Sequence, residues 1–321
     1  MPRHVKGRRR TDPAFGCRPG ERDAPAHIRW GVVLLDKPSG PTSRQAADRV
    51  RHVLGASKVG HGGTLDPKVT GVLPVLLDKA TRTAGVLLGS DKAYSGVMAL
   101  HGDPTDEELE AAVAGFRGVV EQVPPRRSRV KRRARLRAVY AFEVGPRTGR
   151  RAEFAVRCAG GTYIRKLIHD LGQVLGCGAH MLSLRRTQAG PFALEDCVGL
   201  EEVEEAGRLM ARGECDEVRR VVRPIEEVLG RLLPQVSMDD GAVHSVCSGF
   251  PLAVPGICEL DEFALGARVA VTTLKGELVG IGRALMGSEE VLGSDRGLAV
   301  AVRPVLMQPD TYPKRPREGL S

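Results

Sequence analysis

With 321 residues, 42% of them hydrophobic and 27% charged, the chain has room for two domains and an ordinary buried core. No apolar run approaches the roughly 20 residues that span a bilayer, and the N-terminus lacks a signal-peptide core, which predicts an intracellular protein with no membrane partner. Seven cysteines without a CxxC pair argue against a disulfide framework and against a zinc site, while a net charge of +9 points to a polyanionic partner.

In chain order, residues 1–29 are rich in Arg, Pro and Gly with little periodicity, and predict a flexible basic arm. Folded structure is expected from Trp30, with Val32 to Leu35 a buried strand closed by Asp36 to Ser43. Thr42 or Ser43 then caps a helix through about Leu54. A strand is predicted around Tyr94 to Leu100, and a helix from Thr105, whose N-cap is followed three residues later by Glu108. Val139 to Val144 and Phe154 to Arg157 predict an antiparallel pair joined by a Gly-Pro-Arg-Thr-Gly turn. Ile164, Leu167, Ile168 and Leu171 lay an apolar stripe on a helix entered from a Gly-Gly-Thr turn. Glu201 to Glu227 is acidic and predicts a solvated helical region, and beyond Pro234 short apolar stretches such as Ala267 to Thr273 and Leu278 to Ala284 predict a small β-rich barrel. Strands and helices mix without βαβ regularity, which predicts an α+β fold.

The positive charge is concentrated. Residues 126–137 hold eight basic side chains and no acid, among them Arg126, Arg127, Arg129, Lys131, Arg132 and Arg133. A run of one sign repels itself, and arginine forks match phosphate oxygens, so this segment predicts a nucleic-acid contact.

The candidate catalytic residue lies in Gly60 to Pro67, GHGGTLDP. Its glycines permit positive φ and close approach to a ligand, and Pro67 biases Asp66 away from the helical region. Asp66 could simply cap a helix begun at Pro67, but Gly71 and Pro74 leave little helix to cap. A lone acid on such a turn can serve as nucleophile or base. Arg165 sits in the first turn of the later helix, where the dipole disfavours a cation, and is predicted to pair with Asp66 and keep the carboxylate ionised and oriented.

Four ordered segments now carry a resemblance: LDKPSGPTS at Leu35 to Ser43, GHGGTLDPKVTGVLP from Gly60, GTYIRKLIHDLG from Gly161, and LRRTQAGPF at Leu184 to Phe192. They resemble the successive motifs of the TruB family of RNA pseudouridine synthases over roughly residues 30–233, most closely the dyskerin-type catalytic subunits of box H/ACA guide-RNA particles. SGFPLAVPGI and TYPKR resemble a PUA domain, an RNA-binding module. The resemblance implies a mixed, mainly antiparallel catalytic domain at 30–233 and a PUA domain at 234–313. A basic arm at 1–29 is a candidate to pack on the PUA domain, and 314–321 form a tail.

It also implies conversion of uridine to pseudouridine without a cofactor, with Asp66 the essential carboxylate acting at C1′, at C6 or on a ribose proton. Tyr94 would stack on a flipped base, Leu184 line the same pocket and Tyr163 help close it. Lys37 and His61 fall in the same region, Lys37 with Pro38 buttressing the loop and His61 supporting the turn or contacting RNA. Arg129 replaces the small residue usual in relatives, and the Pro-Arg after TYPKR replaces a frequent aromatic. Neither departure touches Asp66, Tyr94 or Arg165.

The partners implied are a box H/ACA guide RNA, substrate RNA and the particle's small core proteins. A stand-alone tRNA synthase and a non-catalytic RNA scaffold are the alternatives. Without a long Lys-rich tail, a cytoplasmic, archaeal-type protein is expected rather than a nucleolar one.

Overall fold

A computed structural model describes residues 3–7, 11–123 and 133–314. The arm predicted to be flexible contributes strand β1 (Arg3–Val5), paired antiparallel with the strand Ile257–Asp261, Arg3 opposite Asp261 and Val5 opposite Glu259. The Arg3 guanidinium reaches Ser237 Oγ at 2.6 Å and Glu259 at 2.7 Å, and Lys6 Nζ donates to the Ser294 carbonyl at 2.7 Å. Helix α1 (Ala24–Arg29) follows, capped by the Asp23 carboxylate, which accepts from the Ala26 N–H. What orders the arm lies more than 200 residues away, beyond the reach of local periodicity.

The chain divides into two compact units. One comprises the residues up to Val32, Leu77–Thr83 and Val218 onward; the other comprises Val33–Leu76 and Ala84–Glu217.

The second unit carries the candidate site. In chain order its strands are β2 (Gly31–Lys37), β3 (Val59–His61), β4 (Thr70–Leu77), β5 (Lys92–Leu100), β6 (Gly118–Gln122), β7 (Arg135–Thr148), β8 (Arg151–Cys158) and β9 (Ala179–Ala189), the end residues of β2 and β4 belonging to the first unit. Their order across the sheet is β2-β4-β9-β5-β8-β7-β6, with β3 paired to β4 off this path. β4 and β9 run parallel, while β5, β6, β7, β8 and β9 pair antiparallel with one another, so the sheet is mixed and mainly antiparallel.

Three helices form where their caps and stripes predict, and a fourth, ahead of β5, has no such signal. α2 (Ser43–Val53) starts from a Thr42/Gln45 capping box, and α3 (Ala84–Gly89) leads into β5. α4 (Asp106–Ala114) starts from a Thr105/Glu108 box. α5 (Ile164–Val174) buries the stripe Ile164, Leu167, Ile168 and Leu171. The β7–β8 hairpin runs longer than its sequence suggests, because Gly145 and Pro146 are absorbed as an irregularity in the register between Val144 and Arg147. The chain instead reverses at Gly149, at φ +55°.

In the first unit a seven-stranded sheet includes β1 and the strands Gln235–Met238, Leu252–Ala253, Ile257–Asp261, Arg268–Thr273, Leu278–Ala284 and Leu298–Val305. Val236, Met238, Val269, Val271, Val279 and Val300 fill its core together with Tyr312, matching the β-rich module expected there. The acidic region is only partly solvated: Val218, Val221, Ile225, Val228 and Leu229 are buried, and Glu226 turns inward.

All seven cysteines are free. Among the described residues no group of three or more His, Cys, Asp or Glu is placed to hold a metal, and no helix is long and apolar enough to cross a membrane.

Candidate active site

The segment after β3 is a turn, and no helix starts at Pro67: the Asp66 carbonyl accepts from the Val69 N–H at 3.0 Å and the chain enters β4 at Thr70. The turn is built from beneath. Ser43 Oγ accepts the Leu65 N–H at 2.7 Å and donates to the Leu65 carbonyl at 2.9 Å, joining the turn to the start of α2. Gly40 N–H and Gly62 N–H donate to the carbonyls of Pro67 and Pro74.

Lys37 is fully buried, with Nζ on the carbonyls of Pro38 (2.8 Å), Pro67 (3.1 Å) and Val69 (2.8 Å). It therefore supports the turn from inside and does not line a pocket. Burial pushes its pKa down, partly opposed by the Asp66 carboxylate.

Asp66 and Arg165 meet. Arg165 Nη2 donates to Asp66 Oδ2 across 99 positions of sequence, with the side chains 61% and 49% exposed respectively. Arg165 is the second residue of α5, and the helix start is fixed by a contact the motifs do not reveal. The buried Gln122 at the end of β6 accepts the Tyr163 N–H at 2.9 Å and donates to the Tyr163 carbonyl at 3.2 Å. Tyr163 is thereby held at the N-cap, half-buried, two residues from Arg165.

Tyr94 lies half-buried on β5, opposite Val156 on β8 and Arg186 on β9. Leu184 is buried on β9, opposite Gly96. His61 ends β3 with its Nδ1 buried and unpartnered, and burial followed by the charge of Arg186 lowers its pKa, which leaves the imidazole neutral at pH 7. Of the predicted RNA-contacting residues, Arg133 is exposed, whereas Arg126, Arg127, Arg129, Lys131 and Arg132 lie outside the described residues.

Gln122 and Arg186 escaped prediction. Arg186 had a signal in the strand's two-residue alternation, which puts it on the buried face with Leu184. Gln122 had none, because its partner is backbone.

An α+β domain presenting a built carboxylate–guanidinium pair, in a chain of net charge +9 that also carries a β-rich module, fits the class of enzymes that act on a polyanion. Comparison with known proteins gives it a family. The model of the TruB family pseudouridylate synthase N-terminal domain matches residues 51–106, that of the tRNA pseudouridylate synthase B C-terminal domain 165–230, the PUA domain 234–306 and the DKCLD (NUC011) domain 3–46. A probable tRNA pseudouridine synthase B of Methanopyrus kandleri is 48% identical over 95% of this chain and 90% of its own length. The crystal structure of a Cbf5-Nop10-Gar1 complex superposes with a TM-score of 0.88 at 44% identity, covering 98% of this chain and 96% of the matched one. An H/ACA RNP bound to a substrate RNA containing 2′-deoxyuridine superposes with a TM-score of 0.87 at 42% identity, again over 98% and 96%. The chain belongs to the TruB family of pseudouridine synthases.

Proposed function

We propose that this chain is the catalytic subunit of an archaeal-type box H/ACA guide-RNA particle, isomerising uridine to pseudouridine in rRNA and tRNA, with Asp66 as the essential carboxylate. The observation that carries the site is the Asp66–Arg165 pair, assembled from two motifs 99 residues apart on a turn that Lys37 and Ser43 hold from beneath. The isomerisation breaks the bond from C1′ to N1, forms one from C1′ to C5, removes the proton from C5 and places one on N1, directly or through water, so it is redox-neutral and asks for no cofactor. Arg165 aims the carboxylate, Tyr94 offers an aromatic face to a base taken out of its stack, and Leu184 and Tyr163 complete the pocket.

Guide dependence is supported by the likeness to Cbf5 in complexes with Nop10, Gar1 and substrate RNA, from which guide RNA, substrate RNA and small core proteins follow as partners. A stand-alone action on tRNA is favoured by the names of the curated relatives. We assign 1–29 as an arm, 30–233 as the catalytic domain, 234–313 as the PUA domain and 314–321 as a tail, and place the protein in the cytoplasm of an archaeon. The basic run from Arg126 to Arg133 is assigned to RNA phosphates.

The test is pseudouridine formation on a tRNA transcript and on a guide-matched RNA, with and without guide and core proteins, beside Asp66→Asn. Product only with guide and partners establishes the particle; product on bare tRNA establishes independent action. RNA bound in every arm without product would return the chain to a scaffold.

A further inference from the structure

Arg186 heads the largest fully buried side chains, at 1% exposure, and among the described residues it pairs with backbone carbonyls and with no carboxylate. Nε donates to the Val72 carbonyl at 2.7 Å, Nη2 donates to the Gly63 carbonyl at 2.9 Å, and the guanidinium carbon lies 6.0 Å from the centre of the Tyr94 ring. Desolvating an unpaired cation is costly, and an apolar side chain of similar volume would fill the space without that cost. Packing alone therefore does not account for an arginine.

The backbone is shaped to receive it. Gly63 has φ +139°, and a Cβ there would stand 3.2 Å from Arg186 Nη1. Gly71, at φ +102°, lets β4 lie close against β9, since a Cβ there would fall 2.1 Å from the Arg186 backbone carbonyl oxygen. One guanidinium thus joins three pieces: the turn, three residues before Asp66; β4 at Val72; and Tyr94, directly across on β5.

The groups around Tyr94 and Arg186 supply no buried counter-charge. Lys92 on β5 is spent on the carbonyls of Leu87, Leu88 and Ser90, His61 ends β3, Cys158 ends β8, and Asp91 is exposed. Burial pushes Lys92 down to about 8 and lowers His61, so Arg186 is the permanent charge of this cluster. At Tyr94 burial raises the phenol pKa and the guanidinium works against that rise.

We infer that Arg186 is a positioning residue: it fixes the Tyr94 ring against the carboxylate turn and sets the electrostatic potential at the Tyr94 hydroxyl. The inference rests on the assignment of Tyr94 to the site made above. A fixed positive charge beside the phenol stabilises negative charge on the Tyr94 oxygen, which a neutral side chain cannot do.

The chain has four tyrosines, so labelling each ring at Cζ gives four NMR signals, and Tyr94→Phe assigns the one of interest. In the free full-length protein, Arg186→Met is expected to move the onset of Tyr94 titration to higher pH, and Arg186→Lys to restore much of the wild-type onset, with Tyr140 and Tyr312 unmoved. In single turnover, Arg186→Met is expected to slow pseudouridine formation about 10²-fold with RNA affinity unchanged. The same substitution should cost far less in the Tyr94→Phe background, because the two residues act as one unit. An unmoved Tyr94 titration, or an equal cost with and without the Tyr94 hydroxyl, overturns the inference. If Arg186→Met does not fold, Arg186→Gln and Arg186→Lys carry the comparison. A wild type that makes no pseudouridine refutes the functional proposal while the titration still judges Arg186.

Discussion

Two arginine–carboxylate pairs in this molecule stand in opposite environments. Arg22 and Glu226 are both 8% exposed: Arg22 Nη2 donates to Glu226 Oε1 at 2.7 Å and Nη1 to Oε2 at 3.1 Å, the Leu278 N–H donates to the same carboxylate at 3.0 Å, and the guanidinium lies over Trp30. Arg165 and Asp66 are a single-contact pair, 61% and 49% exposed. Burial makes the first pair expensive to break, because removing one partner strands the other charge. Exposure makes the second nearly worthless for stability, at about 0–1 kcal/mol, since water screens it. A pair that contributes so little to folding, yet joins a turn fixed by Lys37 and Ser43 to a helix start fixed by Gln122, fits the role proposed for the carboxylate.

The comparison breaks first at Asp66. Asp66→Asn removes the charge and keeps the shape, so pseudouridine formation should be abolished while the melting temperature and RNA affinity stay near wild type. Retained turnover, measured by single-turnover assay, would sink the assignment. Glu226→Gln should do the reverse: about 3–5 kcal/mol of unfolding free energy lost in urea titration, with turnover per folded molecule unchanged. A loss below about 1 kcal/mol would mean that the inward pair behaves like a surface one.

A smaller effect is expected from neutralising Arg132 and Arg133. If both contact phosphate, the slope of log affinity against log salt should flatten by about 0.7–0.9 per contact, and binding should weaken for all RNA sequences alike. An unchanged slope in filter-binding titrations would move the RNA path away from this segment.

Much of this contrast was legible in the sequence, and the illegible part has a common cause. Thr42, Thr105 and the stripe from Ile164 to Leu171 signal through their neighbours, and all three helices form where those signals fall. Asp66 and Arg165 are each marked by a local anomaly, an acid on a glycine turn and a cation at a helix start, and the fold joins them. β1, Glu226 and Gln122 carry no local mark, because their partners lie in Ile257–Asp261, Arg22 and the Tyr163 backbone. Glu226 in particular sits in a run whose composition says solvent, and a bidentate arginine together with the Leu278 N–H turns it inward. Interactions between distant residues are invisible to periodicity unless each partner is odd where it stands.

The smallest expected effect comes from Lys92, the buried cation beside Arg186. Its folded pKa of about 8 lies below the ordinary 10.5, so between those values the unfolded chain binds more protons and the contribution of Lys92 to stability rises with pH. The thiols of Cys158, buried, and Cys247, half-buried, both raised from 9.0 to about 11, act oppositely but only above pH 9, where the unfolded chain loses those protons first. The window from about pH 8 to 9 therefore isolates Lys92 from the thiols. Lys92→Met strands the carbonyls of Leu87, Leu88 and Ser90 and lowers the urea midpoint at every pH, but it also removes a titrating group. The gap between wild-type and variant midpoints should accordingly widen as the pH rises through this window. A constant gap would show that Lys92 stays protonated there, with the carbonyl cage holding its charge more firmly than burial expels it.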